Sequence, residues 1–126
     1  MSYFTKSKFV KELTSKDFDP KTPWLPKEKK CGAILFYADW CPHCSAMKDS
    51  WEQLGKMATF FNVMAFNCAD PKNKRHLDKI HESKPDLVQG YPTITMTSGS
   101  EIVPYRGDRS YDKLLKGCMD YCSGDE

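Results

Sequence analysis

Two cysteines separated by two residues, Cys41-Pro42-His43-Cys44, are the part of this chain whose spacing most directly carries chemistry. They follow an apolar run, Ala33-Ile34-Leu35-Phe36-Tyr37-Ala38, and open a segment in which Cys44, Met47, Trp51, Leu54, Ala58 and Phe61 recur at intervals of three and four. That pattern places the pair at a strand-to-helix junction, with Pro42 in the first helical turn, where a missing N–H costs little. Free backbone N–H groups and the positive end of the helix dipole favour an anion there, so the Cys41 thiol is expected below the free value of ~8.5. His43, when protonated, adds to the same preference. Cys44, one turn further in, is set to attack a mixed disulfide formed on Cys41. The implied chemistry is thiol–disulfide exchange by two successive thiolate attacks, with no cofactor beyond a redox-active Cys41–Cys44 disulfide.

The chain has six cysteines, the others being Cys31, Cys68, Cys118 and Cys122. A lone C-x-x-C is also half of a zinc site. Cys118-x-x-x-Cys122 has the wrong spacing for a second knuckle and falls on a helix face, so no metal is expected. All four additional cysteines read as small buried hydrophobes; the functional alternative is a metal or secondary redox pair at Cys118 and Cys122. His76 and His81, on a charged helix, read as solvated surface.

The elements that position the site follow from periodicity. Strand signals lie at 9–13, 33–38, 62–68, 93–97 and 101–105, and the 33–38 run, apolar on both alternating faces, suits a central strand covered on both sides. A single capped turn is expected at 14–18, a helix from Pro42 onward, a polar helix at 72–81, and a last helix capped by Ser110 on which Tyr111, Leu114, Leu115, Cys118 and Cys122 share a face. Ser98-Gly99-Ser100 reads as a three-residue hairpin turn. Strands alternating with helices, then a hairpin, give an α/β class with a mixed central sheet flanked by helices.

At 126 residues the chain is one domain, 1–126. Its 19 Lys+Arg against 17 Asp+Glu leave a net charge of +2, which gives no case for nucleic-acid binding. The six-residue run at 33–38 is far short of the roughly 20 apolar residues of a membrane span, so no membrane partner is expected. Lysines at 6, 8, 11 and 16 interrupt the start where a secretory signal would be apolar. The reading is a cytoplasmic monomer in a reducing compartment; a virion or a secretory compartment is the alternative if the chain is a processed form.

The segment Phe36-Tyr37-Ala38-Asp39-Trp40-Cys41-Pro42-His43-Cys44 resembles the active-site segment of the thioredoxin superfamily, and within it a protein disulfide isomerase catalytic domain. Glu12-Leu13-Thr14 with Phe18, then Gly90-Tyr91-Pro92-Thr93, then Tyr105-x-Gly107-x-Arg109 agree in order. The resemblance implies a thioredoxin fold with a core at about 9–117, leaving 118–126 as the end of the last helix and a tail. It also implies a thiol:disulfide oxidoreductase acting on protein or peptide thiols and disulfides. By the same resemblance Pro92 is a cis proline facing the cysteine pair, Tyr91 offers its backbone to a substrate peptide, Trp40 joins them in substrate binding, and Arg109 lowers the resolving thiol's pKa. The inner Pro42-His43 is instead similar to bacterial periplasmic disulfide-introducing oxidoreductases. Three departures stand out: Leu35 occupies the place of a buried acid, Ala65 and Phe66 that of its lysine partner, and Asp49 that of a helix-kinking proline, so a straighter helix is expected. The missing acid leaves a second reading open, a peptide-binding or chaperone-like module in which the cysteines are incidental. The direction of any redox reaction is left open too.

Overall fold

The computed structural model describes residues 1–123. β2 (Gly32–Tyr37) is buried at every position and lies at the centre of a five-stranded sheet ordered β1-β3-β2-β4-β5, in which β1 is Lys11–Glu12, β3 Asn62–Asn67, β4 Thr93–Ser98 and β5 Glu101–Pro104. β3 runs parallel to both β1 and β2, while β4 is antiparallel to β2 and β5 antiparallel to β4. The mixed sheet expected from the alternation of elements is therefore present.

Alternation along β2 divides the core in two. Ala33, Leu35 and Tyr37 face α1 (Pro42–Ala46), α2 (Lys48–Met57) and α4 (Tyr111–Ser123), packing with Cys44, Trp51, Leu54, Leu114 and Cys118. Ile34 and Phe36 face the other way, with Phe66, Phe18 and the Leu77 and Ile80 side chains of α3 (Lys74–Ser83). Period-two burial on the strand meets period-3.6 burial on the helices, and the sheet is covered on both sides.

Several expectations are corrected. β1 is shorter than 9–13 because the Ser7 hydroxyl accepts from the Phe9 and Val10 N–H groups, at 3.1 and 3.0 Å, and diverts them from the ladder. The hairpin turn has two residues, not three: Ser98 pairs with Glu101, and Gly99 at φ 61° supplies the positive φ that the first position of a type II′ turn requires. Despite Asp49 in place of proline, the helix is not straighter. It divides at Met47 (φ −101°, ψ 4°), whose N–H reaches the Cys44 carbonyl at 3.2 Å, one residue closer than the α-helical partner. The division lets Cys44 and Met47 bury at the end of α1 while Trp51 and Leu54 bury from α2. His76 is not solvated surface: it is buried on the Leu77 and Ile80 face, tilted against Phe18 with centroids 4.3 Å apart, and its Nε2–H donates to the Pro23 carbonyl at 2.8 Å. Burial lowers its pKa.

The largest correction concerns two of the cysteines read as free hydrophobes. Cys31, just before β2, is disulfide-bonded to Cys122 in α4, with Cα atoms 5.6 Å apart. This removes Cys122 from any metal or redox pair with Cys118, which is a buried free thiol. The packed core also begins earlier than residue 9, at Phe4, only 1% exposed. Of the expected tail, 118–123 belong to α4 and residues 124–126 lie outside the described residues. No helix among the described residues is long and apolar enough to cross a membrane.

Gly55 of α2 is a point of close approach, since a Cβ there would lie 2.5 Å from the Phe9 carbonyl oxygen. Gly55→Ala is therefore expected to lower the urea midpoint, although Gly→Ala in an open helix gains about 1 kcal/mol. Replacing both Cys31 and Cys122 with serine is expected to cost about 2–5 kcal/mol of unfolding free energy in the same titration, because the bond closes a loop of sequence separation 91.

Candidate active site

β2 ends at Tyr37, and the chain turns through Ala38, Asp39 and Trp40 before α1 begins. The Cys41 N–H bonds back to the Ala38 carbonyl at 3.0 Å, and the Cys41 carbonyl accepts the first helical bond, from Ser45 N–H, also at 3.0 Å. Cys41 is thus the N-cap of α1, with extended backbone (φ −87°, ψ 120°) and Pro42 in the first turn. Its side chain hangs beside free helical N–H groups, as the junction predicts.

Fifty positions further along, the chain supplies the facing wall. The Cys41 thiol donates to the Tyr91 carbonyl at 3.6 Å, and Tyr91–Pro92 is a cis peptide bond. Trp40, 68% exposed, meets the Tyr91 ring edge-on with centroids 6.1 Å apart. Trp40, Tyr91 and Pro92 therefore form the surface around Cys41, which is itself 5% exposed. Cys44 lies beneath it, fully buried, and both cysteines are free thiols.

The two sulfurs sit in unequal fields. Burial opposes ionisation of Cys41, but the Cys44 thiol, the backbone N–H groups of Cys44 and His43, and the Arg109 charge together hold it below the ordinary thiol value. Burial pushes the Cys44 thiol well up, and the neighbouring Cys41 sulfur adds to that, outweighing help from Arg109. The site thus has one thiol that ionises readily and one that resists. The His43 side chain is exposed; the part of this residue that reaches Cys41 is its backbone N–H. Arg109 is exposed as well, and its charge favours the thiolate form of both cysteines.

Leu35 is completely buried and lies opposite Ala65, so this row of the sheet is apolar at its centre. The same row continues to Glu12 on β1, which also pairs with Ala65. Sequence reasoning gave Glu12 no role, yet it anchors a network. Glu12 Oε1 accepts from the Tyr37 hydroxyl at 2.7 Å and from Phe4 N–H at 3.1 Å, and burial raises its carboxyl pKa. The Tyr37 oxygen in turn accepts from Tyr3 N–H at 2.8 Å, the Tyr3 ring stacks on Tyr37 at 4.5 Å, and the Tyr3 hydroxyl donates to the Asp39 carbonyl at 3.1 Å. The N-terminal segment thereby clasps the turn that carries Cys41. Cys68, another residue without an assigned role, donates its thiol to the Phe66 carbonyl at 3.8 Å, and burial pushes that thiol up to about 12. Among the described residues, no group of three or more His, Cys, Asp or Glu side chains is gathered as a metal site.

Known proteins resemble the chain in sequence and in shape. The thioredoxin family model matches residues 9–120. A mitochondrial thioredoxin domain-containing protein of Schizosaccharomyces pombe is 30% identical over 116 residues, covering 86% of this chain and 29% of that protein. Protein disulfide-isomerase of Saccharomyces cerevisiae is 31% identical over 94 residues, 69% of this chain and 16% of its own length. The chain thus spans less than a third of these curated relatives. In fold it is similar to the J-Trx1 fragment of ERdj5, with a TM-score of 0.76 at 24% identity over 96% of this chain and 55% of that one. Spinach chloroplast thioredoxin f, long form, superposes with a TM-score of 0.65 at 21% identity over 88% of this chain and 84% of that one.

The unequal thiols give a pH-dependent expectation. A lowered pKa puts Cys41 in its thiolate form below the ~8.5 of a free thiol, so its alkylation rate in the reduced native protein should rise with pH through a window lying below that value. Cys44, Cys68 and Cys118, buried and with raised pKa values, should label only on unfolding. Iodoacetamide labelling followed by peptide mass measurement across pH 5–10 checks both parts.

Proposed function

The chain belongs to the thioredoxin family, and from that premise we propose that it is a thiol–disulfide oxidoreductase acting on protein or peptide cysteines through Cys41-Pro42-His43-Cys44. The observation that carries the reading is the ionisable Cys41 sulfur at the N-terminus of α1, facing the Tyr91 carbonyl. In the reducing direction the Cys41 thiolate attacks one sulfur of a substrate disulfide. That S–S bond breaks, the other substrate sulfur leaves and takes a proton, and a mixed disulfide remains on Cys41. Cys44 then gives up its proton and attacks the Cys41 sulfur, releasing the second substrate thiol and leaving a Cys41–Cys44 disulfide, with two electrons passed to the substrate. The reverse sequence oxidises a substrate dithiol.

Burial resists the proton loss at Cys44, and Leu35 offers no base, so resolution of the mixed disulfide is the slow step. Tyr91 and Pro92 present a backbone edge to an extended substrate, and Trp40 covers its flank. Arg109 assists both thiolates; His43 and Pro42 shape the first turn. The two sulfurs suffice as the redox group, and the protein works as a monomer on protein partners rather than on nucleic acid or membranes. The Cys31–Cys122 bond supports an oxidising setting, where structural disulfides persist, over the cytoplasmic one.

Equilibration with glutathione redox buffers, read by mass after thiol labelling, should show one reversible two-electron transition at Cys41 and Cys44. A midpoint near ~−270 mV means a reductase, and one near ~−120 to −180 mV an oxidase or isomerase. Cys41→Ser should abolish turnover, whereas Cys44→Ser should accumulate mixed disulfides on Cys41. The absence of any transition, with peptide binding retained by the Cys41→Ser/Cys44→Ser variant, would overturn this reading in favour of a binding module.

A further inference from the structure

Beside Pro92 the surface falls into a cavity of about 650 Å³, walled on one side by the segment after α3 and on the other by the segment after β5. Its lining carries three cations, Lys84, Arg106 and Arg109, and one carboxylate, Asp86. All four side chains belong to exposed residues. Asp86 Oδ1 is engaged by the Gln89 amide at 3.2 Å. By contrast, none of the three cations is in a salt bridge among the described residues. The Lys84 ammonium is held over the Trp24 ring, 4.9 Å from its centroid, which fixes it at the rim without neutralising it. The neighbouring Asp108 accepts from Ser110 N–H at 2.7 Å; the Arg109 charge acts on this carboxylate, but the two form no salt bridge among the described residues.

This local excess stands out in a chain whose whole net charge is +2. It is also joined to the reacting sulfurs: Pro92 forms part of the cavity wall, and Tyr91, its neighbour, accepts the Cys41 thiol. A polypeptide whose cysteine is bonded to Cys41 can lead a flank past Pro92 and across this cavity. Carboxylates there meet unpaired cations, while lysines meet like charge.

We propose that the cavity beside Pro92 makes the protein selective for cysteine-bearing polypeptide segments with Asp or Glu close to the cysteine, Lys84, Arg106 and Arg109 being the selecting groups. The inference rests on the redox reading of Cys41 and names the substrate class for that site. Exposed charge pairs are individually weak and act mainly on encounter and register, so the preference belongs in the rate of mixed-disulfide formation and fades with salt.

The test uses three short peptides, identical except for Glu, Gln or Lys on both sides of one cysteine that carries a disulfide-linked fluorophore. Second-order rates with the reduced full chain, each divided by the rate of the same peptide with dithiothreitol, remove the intrinsic reactivity of the peptide disulfide. The expected order is Glu, then Gln, then Lys, with about a tenfold span between Glu and Lys at low ionic strength, the sum of a few exposed pairs. In 0.5 M salt the span should shrink to about twofold. The charge-reversed Lys84→Glu/Arg106→Glu variant should invert the order, and the milder Lys84→Gln/Arg106→Gln variant should flatten it. Equal normalised rates for the three peptides, or an unchanged span in a folded variant of either kind, overturn the inference while leaving the redox reading intact. Failure of the wild-type chain to react with any of the peptides instead removes the redox reading and the inference together.

Discussion

The Cys41 thiol on the Tyr91 carbonyl, at 3.6 Å, is the contact to which the rest of the fold is arranged. It joins segments fifty positions apart, and it depends on register. β2 and β4 pair antiparallel with Phe36 opposite Thr93, so the exit of β2 and the entry to β4 lie at one end of the sheet. A one-residue slip would turn every β2 side chain to the opposite face. Leu35 and Tyr37 would leave the α1, α2 and α4 core for the α3 core, and Ile34 and Phe36 would do the reverse. The buried strand therefore pins the active surface as firmly as it pins the core.

That surface uses charge sparingly. An acid buried beneath Cys44 would need a partner, because an isolated buried charge costs far more than a pair contributes. Here the row Leu35–Ala65–Glu12 keeps its acid at the edge of the sheet, where the Tyr37 hydroxyl and the Phe4 N–H satisfy one carboxyl oxygen. The consequence is a division of labour. Glu12 organises the N-terminal clasp on Asp39, and Cys44 is left in an apolar setting that holds its proton. A tight clasp around Cys41 and a reluctant Cys44 follow from a row that has a carboxylate at Glu12 and none at Leu35.

Much of this was legible in the residues. Period-two and period-3.6 patterns located every strand and helix to within a few positions, and the strand–C-x-x-C–helix order located the site, since those signals are local. What escaped was either non-local or masked by a local pattern. Cys31 and Cys122 meet only because α4 packs back across β2, which no spacing encodes. The break at Met47 falls within an unbroken apolar stripe, because Cys44, Met47, Trp51 and Leu54 keep their spacing on both sides of it. His76 was hidden by its charged neighbours, although it shares a helical face with Leu77 and Ile80. Tyr3 and Phe4 lie ahead of the first strand signal, and their role emerges only through the Tyr37 hydroxyl that connects them to Glu12.

The domain holds two cysteine pairs, the bonded Cys31 and Cys122 and the free Cys41 and Cys44, and its geometry opposes exchange between them. They lie at opposite ends of β2, Cys31 just before its first residue and Cys41 beyond its last. Six residues of extended strand put about 20 Å between those ends, well beyond the reach of one sulfur attacking another. The thiol placed to scramble the structural bond is Cys118, one helical turn from Cys122. It is 1% exposed, and burial pushes it up to about 12, so its thiolate is scarce where exchange would start. Cys68, near the facing wall, is held protonated in the same way. Exchange needs a thiolate and access to a disulfide sulfur. Burial removes the first from Cys68 and Cys118, and the length of β2 removes the second from Cys41. The fold thus places its readily ionised thiol at one end of the sheet while a disulfide braces the other.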